Sequence, residues 1–455
     1  MSGDEALEAP SPTYTLMQVY ETPRGPIVHA DLFRIENASE LAELGWDEAA
    51  DNAVVLVEWP ERAGDALPRD RLDLAFSSDP ARGETFRVAR ITGHGAFGPR
   101  LARARAIHEL LHEAGWADAT RRFMQGDASS RAYERLEKPN GARAVLMIAP
   151  RRPDGPPIRD GKPYSAIAHL AEDIGAFAAV DHALLAQGFS APRIFAADFA
   201  AGLAILEDFG AEPVIDANGP IPERYAEAAA VLAGLHGRAL PAVLPIAPGD
   251  DHHLPRYDLG ALMIEAELLI DWYAPHVARV TLPEAARAAF AHAWAQALAE
   301  IVVGETTWTL RDYHSPNLIW LADRRGVERV GLIDFQDCVL GHPAYDVVSL
   351  LQDARVDVPD ALELKLLSAY SRLRRADGAA FDMAAFTRAY AILGAQRATK
   401  ILGIFARLDA RDRKPHYLAH APRIARYLAK NLAHPVLSGV KLWYDVHLPQ
   451  IARAA

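Results

Sequence analysis

The chain has 455 residues, half of them hydrophobic by type and 24% charged, with 48 Lys and Arg against 60 Asp and Glu for a net charge of −12. This length allows two or three domains with cores of their own, and the acidic balance argues against a broad basic face for nucleic acid. A single cysteine, Cys338, excludes a disulfide framework and a cysteine-rich zinc site and suits a reducing cytoplasm, while the first residues lack a signal peptide and no apolar run reaches the roughly 20 residues that cross a bilayer.

In chain order, alternation predicts strands over residues 14–20 and 26–35, separated by the turn chemistry of Glu21-Thr-Pro-Arg-Gly25. A short helix follows, with Ser39 as its expected N-cap. Ala53-Val-Val-Leu-Val-Glu-Trp-Pro60 is a continuous apolar run ending in a carboxylate. Buried parallel strands have this pattern, and ligands bind at their C-terminal ends. Two more strands are predicted at residues 71–76 and 84–90, which makes residues 1–97 a strand-rich α/β segment.

Three clusters in this segment, Ser11-Pro-Thr-Tyr-Thr15, His29-Ala-Asp-Leu-Phe-Arg34 and Val57-Glu-Trp-Pro-Glu61, resemble successive motifs of the TsaE family. Those are small ATPases that support threonylcarbamoylation of adenosine in tRNA. The resemblance implies that Thr13, Asp31 and Glu58 surround Mg²⁺ and a γ-phosphate, with Trp59 beside them. It also implies partners among the proteins of a tRNA-modification complex. The family's P-loop, Gly-x-x-x-x-Gly-Lys-Thr, supplies the amides and lysine that hold phosphates, and it does not occur in this sequence. The expected fold here is a partial P-loop-NTPase-like sheet. Either it is a relic that binds no nucleotide alone, or the start of the chain lies too far downstream; as written, it is not expected to hydrolyse ATP.

Gly93-His-Gly-Ala-Phe-Gly-Pro99 marks a boundary, and helical periodicity follows over residues 101–114. Residues 122–136 read as strand, small-residue loop and strand, and residues 144–149 as the next strand after an Asn140-Gly141 turn. The loop Gly126-Asp-Ala-Ser-Ser130 admits two readings. It is an ordinary hairpin, or it lies over nucleotide phosphates through Gly126, Ser129 and Ser130. The following strand carries Met147 where protein kinases place a lysine, so Arg131 is the candidate phosphate cation. A helix is predicted over residues 166–188. The strand 204–210 then breaks into Glu207-Asp-Phe209, where a hinge between lobes would expose backbone to an adenine edge. Residues 98–210 therefore form an expected small lobe.

Residues 211–455 are mainly helical by pattern, with helices predicted over 225–238, 259–273 and 282–302. They enclose a strand, loop and strand at 309–335, containing Thr309-Leu-Arg-Asp-Tyr-His-Ser-Pro-Asn-Leu-Ile-Trp320 and Val330-Gly-Leu-Ile-Asp-Phe335. A hydroxyl is a poor nucleophile, so a carboxylate must take its proton as the bond to phosphorus forms; Asp312 is the candidate. Phosphate charge calls for Mg²⁺ on hard oxygen ligands, and Asn317 and Asp334 supply them. Arg311 is expected to pin the loop and Asp346 to brace it through backbone amides or to cap a helix.

With Gly341-His-Pro-Ala-Tyr-Asp346 following, this region resembles the aminoglycoside phosphotransferase superfamily from about Leu101 to the C-terminus. Gly126-Asp-Ala-Ser-Ser-Arg-Ala-Tyr133, Met147, Ile205-Leu-Glu-Asp-Phe-Gly210 and Leu310-Arg-Asp-Tyr-His-Ser-Pro-Asn317 are similar to its AmgK branch. Enzymes of that branch phosphorylate N-acetylmuramate and N-acetylglucosamine at C1 during cell-wall recycling. The resemblance implies a two-lobed protein-kinase-like fold with a helical C-lobe, ATP and Mg²⁺ as cofactors, and an amino-sugar substrate. Arg397 and Lys400 share a helix face that either meets an anionic substrate group or is solvated, and Glu267 is the candidate sugar contact on an earlier helix. Kinases of choline, homoserine or aminoglycosides share the pattern, and a non-catalytic scaffold for tRNA modification is the reading from outside the enzyme class.

Overall fold

Residues 9–23, 25–37, 39–124, 131–151, 155–247, 249–376 and 380–452 are described by the computed structural model. They divide into two units, Met1–Ile107 and His108–Ala455.

In the first unit, Met17–Tyr20 pairs antiparallel with Ile27–Asp31, which pairs in parallel with Val54–Glu58. Both strands around the first turn are shorter than their sequence pattern suggests, and residues 13–16 are turn and bend. The parallel crossover runs through helices Glu40–Glu43 and Trp46–Ala50, whose Leu41 and Trp46 pack with Ala30, Leu32 and Ile35. Ser39 does not cap: its backbone is already helical and its side chain accepts nothing. Asn37 takes that role, accepting the Ser39 amide at 3.1 Å while Glu40 accepts the Asn37 amide at 3.0 Å, a reciprocal box that satisfies two helix-start donors. The expectation of a buried third strand also needs correction. Val54 and Leu56 are 54% and 42% exposed, because among the described residues the helices cover the opposite face of the sheet. Arg71–Ser78 and Arg87–His94 form a separate antiparallel ribbon.

The helix after this ribbon begins at Phe97, four residues ahead of its apolar periodicity, and ends at Glu113. The second unit then opens with a five-stranded antiparallel sheet. Its order is Ile194–Asp198, Leu203–Glu207, Arg143–Ile148, Ala132–Glu137, Thr120–Met124. The helix predicted over 166–188 is two helices, Tyr164–Ile167 and Ile174–Ala186, the second started by Asp173 accepting the Gly175 amide. Ile174, Phe177, Val180 and Leu184 belong to the same apolar core as Met147 and Leu206 of the sheet. Phe177 stacks on Phe335 with ring centroids 5.1 Å apart, tying this helix to the turn that carries Asp334.

Helices Pro222–His236, Leu259–Leu268, Glu284–Val302, Asp360–Arg374, Met383–Asp412 and Ala421–Leu432 build the rest around one continuous apolar core. The helix predicted to Tyr273 changes at Leu269 into a π-turn, Leu269–Tyr273, which displaces Asp271 and Trp272 from the regular spacing. Against it packs the long helix Met383–Asp412. A Cβ on Gly403 would meet the Leu268 backbone at 2.4 Å, so only glycine permits this approach. No helix among the described residues is long and apolar enough to cross a membrane.

Candidate active site

Two short antiparallel ladders hold the candidate catalytic loop. Thr307–Thr309 pairs with Val339–Gly341, and Leu318–Trp320 pairs with Val330–Leu332. The Ile333 amide adds a bond to the Asn317 carbonyl at 3.1 Å. As a result Asp312, Asn317 and Asp334 line one cleft. The Asn317 side-chain amide donates to the Asp312 carbonyl at 2.9 Å, which leaves its Oδ1 as an acceptor. Arg311 and Asp334 both hold left-handed backbone, with φ of 67° and 60°. That conformation costs a non-glycine residue about 1–3 kcal/mol and persists only where the surroundings impose it.

Asp346 imposes it on the loop. It lies fully buried in the first turn of Ala344–Leu351, whose N-cap is Pro343, and accepts the amides of Leu310 at 2.6 Å and Arg311 at 2.9 Å. The Arg311 side chain is anchored separately. It donates to the Ala168 carbonyl at 2.9 Å, pairs with Glu265 and lies 4.9 Å from the Tyr257 ring centroid. Glu265 also accepts from Tyr257 and pairs with Lys400 at 2.7 Å. Burial acts to raise the Glu265 carboxyl, but Lys400 and Arg311 outweigh it and hold the group below its ordinary value. Burial likewise acts to lower Lys400, and Glu265 reverses it.

Asp334 receives two donors on Oδ1, Arg131 at 3.0 Å and Gln336 at 2.9 Å. Burial and the nearby Asp312 charge push it above the usual carboxylate range, against the pull of Gln336 and Arg131. Two half-buried carboxylates that repel each other in this way favour a cation between them. Among the described residues no three His, Cys, Asp or Glu side chains converge as a metal cluster. The donors here are carboxylate and amide oxygens, which suit Mg²⁺. Asp337 escaped the sequence reading. It accepts the Ala171 amide at 2.7 Å and is raised by burial, with Asp312 among its charged neighbours; the only signal for it is its place three residues beyond Asp334.

The remaining candidates are dispersed. Gly126, Ser129 and Ser130 lie outside the described residues. Glu207 commits its amide to the Arg193 carbonyl at 2.9 Å and its carboxylate to Arg324 at 2.6 Å, so neither group is open to an adenine edge. The Phe209 ring packs on Gly331, where a Cβ would come within 2.7 Å of it. Glu267 pairs with Arg159 at 2.5 Å. Arg397 and Lys400 are not a solvated helix face: Arg397 is buried, 3.5 Å from the Gln352 carbonyl, and Lys400 belongs to the Glu265 network. Beside Arg131 a cavity of about 630 Å³ opens, with Tyr164, Asp173, Trp272 and Arg407 in its wall.

In the first unit, Thr13 donates to Asp31 at 2.8 Å, and Asp31 is the register partner of Glu58 at the ends of two parallel strands. Glu58 lies 2.8 Å from His29, and Trp59, at φ 56°, packs on Phe33 with centroids 5.0 Å apart. All four motif residues therefore gather at one end of this sheet.

Comparison with known proteins agrees with both halves. Residues 120–384 match the phosphotransferase enzyme family, and residues 2–85 match threonylcarbamoyl adenosine biosynthesis protein TsaE. An N-acetylmuramate/N-acetylglucosamine kinase of Caulobacter vibrioides is 39% identical over 353 residues, 75% of this chain and 95% of that protein. The kinase of the same name from Pseudomonas aeruginosa is 30% identical over 72% of this chain and 89% of its own. The tRNA threonylcarbamoyladenosine biosynthesis protein TsaE of Rickettsia prowazekii is 45% identical over 51 residues, 11% of this chain and 35% of that protein, so the chain spans about a third of this relative. With a family match over more than half its length and a relative 39% identical over 75% of it, the chain belongs to the phosphotransferase enzyme family.

Proposed function

We propose that the unit His108–Ala455 transfers the γ-phosphoryl group of ATP to the anomeric hydroxyl of an N-acetylated amino sugar, N-acetylmuramate or N-acetylglucosamine, in cell-wall recycling. The observation that carries this reading is the gathering of Asp312, Asn317 and Asp334 in one cleft. Asp312 accepts the hydroxyl proton as the sugar oxygen bonds to phosphorus and the bond from the γ-phosphorus to the bridging oxygen breaks, giving a sugar 1-phosphate and ADP. Asn317 and Asp334 would hold Mg²⁺, which when bound would neutralise phosphate charge. Arg131, already within reach of Asp334, presents its guanidinium to the phosphates. Asp346 keeps Asp312 in register, and Arg311 locks the loop to the lobe interior. The single cysteine and the use of ATP support a cytoplasmic setting for this reaction.

Incubating the protein with ATP, Mg²⁺ and a panel of amino sugars, choline, homoserine and aminoglycosides tests the reading. Sugar 1-phosphate should form, and Asp312→Asn should lower kcat by about 10²–10⁴. Undiminished turnover by that variant removes Asp312 as the base.

For the N-terminal unit, the meeting of Thr13, Asp31, Glu58 and Trp59 favours a second role, association with tRNA-modification proteins. Nucleotide titration of Glu58→Ala and Asp334→Ala separates the two sites. Loss of binding in Asp334→Ala alone assigns the nucleotide to the kinase unit.

A further inference from the structure

The long helix Met383–Asp412 presents Lys400, Arg407 and Arg411 along one side, at spacings of seven and four residues. Lys400 is neutralised by Glu265, and Arg411 is held by both oxygens of Asp412 at 2.7 and 3.0 Å. Arg407 differs. Among the described residues no carboxylate lies within ion-pair distance of it, and its buried Nε has no hydrogen-bond partner. Its guanidinium sits 5.1 Å from the ring centroid of Tyr164, whose phenol is pushed up to about 12 by burial and by Glu265 and is therefore neutral. Burial lowers Arg407 itself from its ordinary value, only partly offset by Tyr164. An incompletely paired, partly desolvated cation is unfavourable unless something anionic joins it.

Arg407 lies in the wall of the 630 Å³ cavity, and Arg131, bonded to Asp334, lies in the same wall. None of the residues from Leu203 to Gly210 lines this cavity, which sets it apart from the strand expected to meet adenine. Seven residues of helix separate Lys400, which is within electrostatic reach of Asp312, from Arg407, an axial rise of about 10 Å. A cavity of about 630 Å³ has room for a hexose that carries a short acidic arm. Trp272, displaced by the π-turn, and Asp173 also lie in its wall, an apolar ring face and a hydroxyl acceptor for the sugar.

We infer that Arg407 is the specificity residue that receives the ether-linked carboxylate of an acidic amino sugar, favouring N-acetylmuramate over N-acetylglucosamine. The inference rests on the sugar-kinase reading of the same site. The two sugars differ in that carboxylate-bearing arm, so the ratio between them within one protein is insensitive to partial unfolding.

The experiment measures binding of both sugars by calorimetry, and kcat/KM for both, in the wild type, Arg407→Met and Arg407→Lys. The expected result is that Arg407→Met lowers the N-acetylmuramate to N-acetylglucosamine ratio about 10- to 100-fold, the worth of one charge-assisted hydrogen-bonded contact, and that Arg407→Lys recovers part of it. The loss should lie mainly in Kd and KM. An unchanged ratio in Arg407→Met, with both sugars falling together, overturns the inference while leaving sugar phosphorylation intact. If the wild type binds N-acetylmuramate in an Arg407-dependent way but phosphorylates neither sugar, the kinase reading falls and the carboxylate site stands. Failure of the wild type to bind N-acetylmuramate more tightly than N-acetylglucosamine also overturns it.

Discussion

Asp346 Oδ1 lies 2.9 Å from the backbone nitrogen of Arg311, and this bond sets the loop one residue ahead of Asp312. Its second oxygen takes the Leu310 amide at 2.6 Å. Asp346→Ala would leave two buried donors unsatisfied, at about 1–3 kcal/mol each. We expect a destabilisation of roughly 2–5 kcal/mol together with a fall in kcat, whereas Asp346→Asn keeps one acceptor and should lose less of both. Denaturant melts read beside kcat decide this. A stable Asp346→Ala with full activity would show that the loop holds itself.

Glu265 carries the charge that allows Arg311 and Lys400 to be buried. Glu265→Gln leaves both cations without their anion and should cost about 3–5 kcal/mol at neutral pH. The sign with pH follows from the lowered folded-state value. The stabilisation is fully present above the unfolded-state value of 4.5 and is lost as pH falls through the lower folded-state value. The gap between wild type and variant should therefore shrink in acid. Stability curves at pH 7 and pH 4 check it, and a gap that widens in acid would contradict it.

Asp181 behaves in the opposite sense. Both its oxygens are buried without a hydrogen-bond partner, and burial, with Glu207 nearby, pushes it up to about 8. Between 3.8 and about 8 the folded chain must keep a proton that the unfolded chain releases, so this site loses stability as pH rises through that window. Asp181→Asn should gain on the wild type from pH 5 to pH 8, by up to a few kcal/mol. Chemical denaturation at the two pH values measures the trend. A difference independent of pH would mean that Asp181 keeps its charge state on folding.

Arg131 bonds to Asp334 and borders the 630 Å³ cavity. Arg131→Met should raise the KM for ATP about 10-fold, as expected for loss of one charge-assisted phosphate contact, with a smaller effect on the KM for sugar. Initial-rate kinetics with each substrate varied separately provide the check. A rise confined to the sugar would move Arg131 to the acceptor side.

Much of the fold was legible in the sequence because its signals are local. Alternation and the Asn140-Gly141 turn place the strands Ala132–Glu137 and Arg143–Ile148, and the pattern Asp312-x-x-x-x-Asn317 followed by an apolar strand and Asp334 is readable without any contact map. Helix interruptions were less visible. The break before Ile174 and the π-turn at Leu269 depend on packing against partners distant in sequence, and residues near them keep an apolar helical rhythm on both sides.

By itself, the sequence determined the family likeness of both segments, the order of the elements and which residue types are available for phosphoryl transfer. Only the tertiary structure decided which charges are already paired. Glu265, Glu267 and Asp271 are nearly equivalent acidic residues in the sequence, yet the fold gives Glu265 to Arg311 and Lys400, Glu267 to Arg159 and Asp271 to Arg287. Lys400 and Arg407 are both cations of one helix; one meets a buried carboxylate and the other faces a cavity. Pairing depends on distance between side chains of different elements, and desolvation gives each pair its weight, so neither can be read from spacing along the chain.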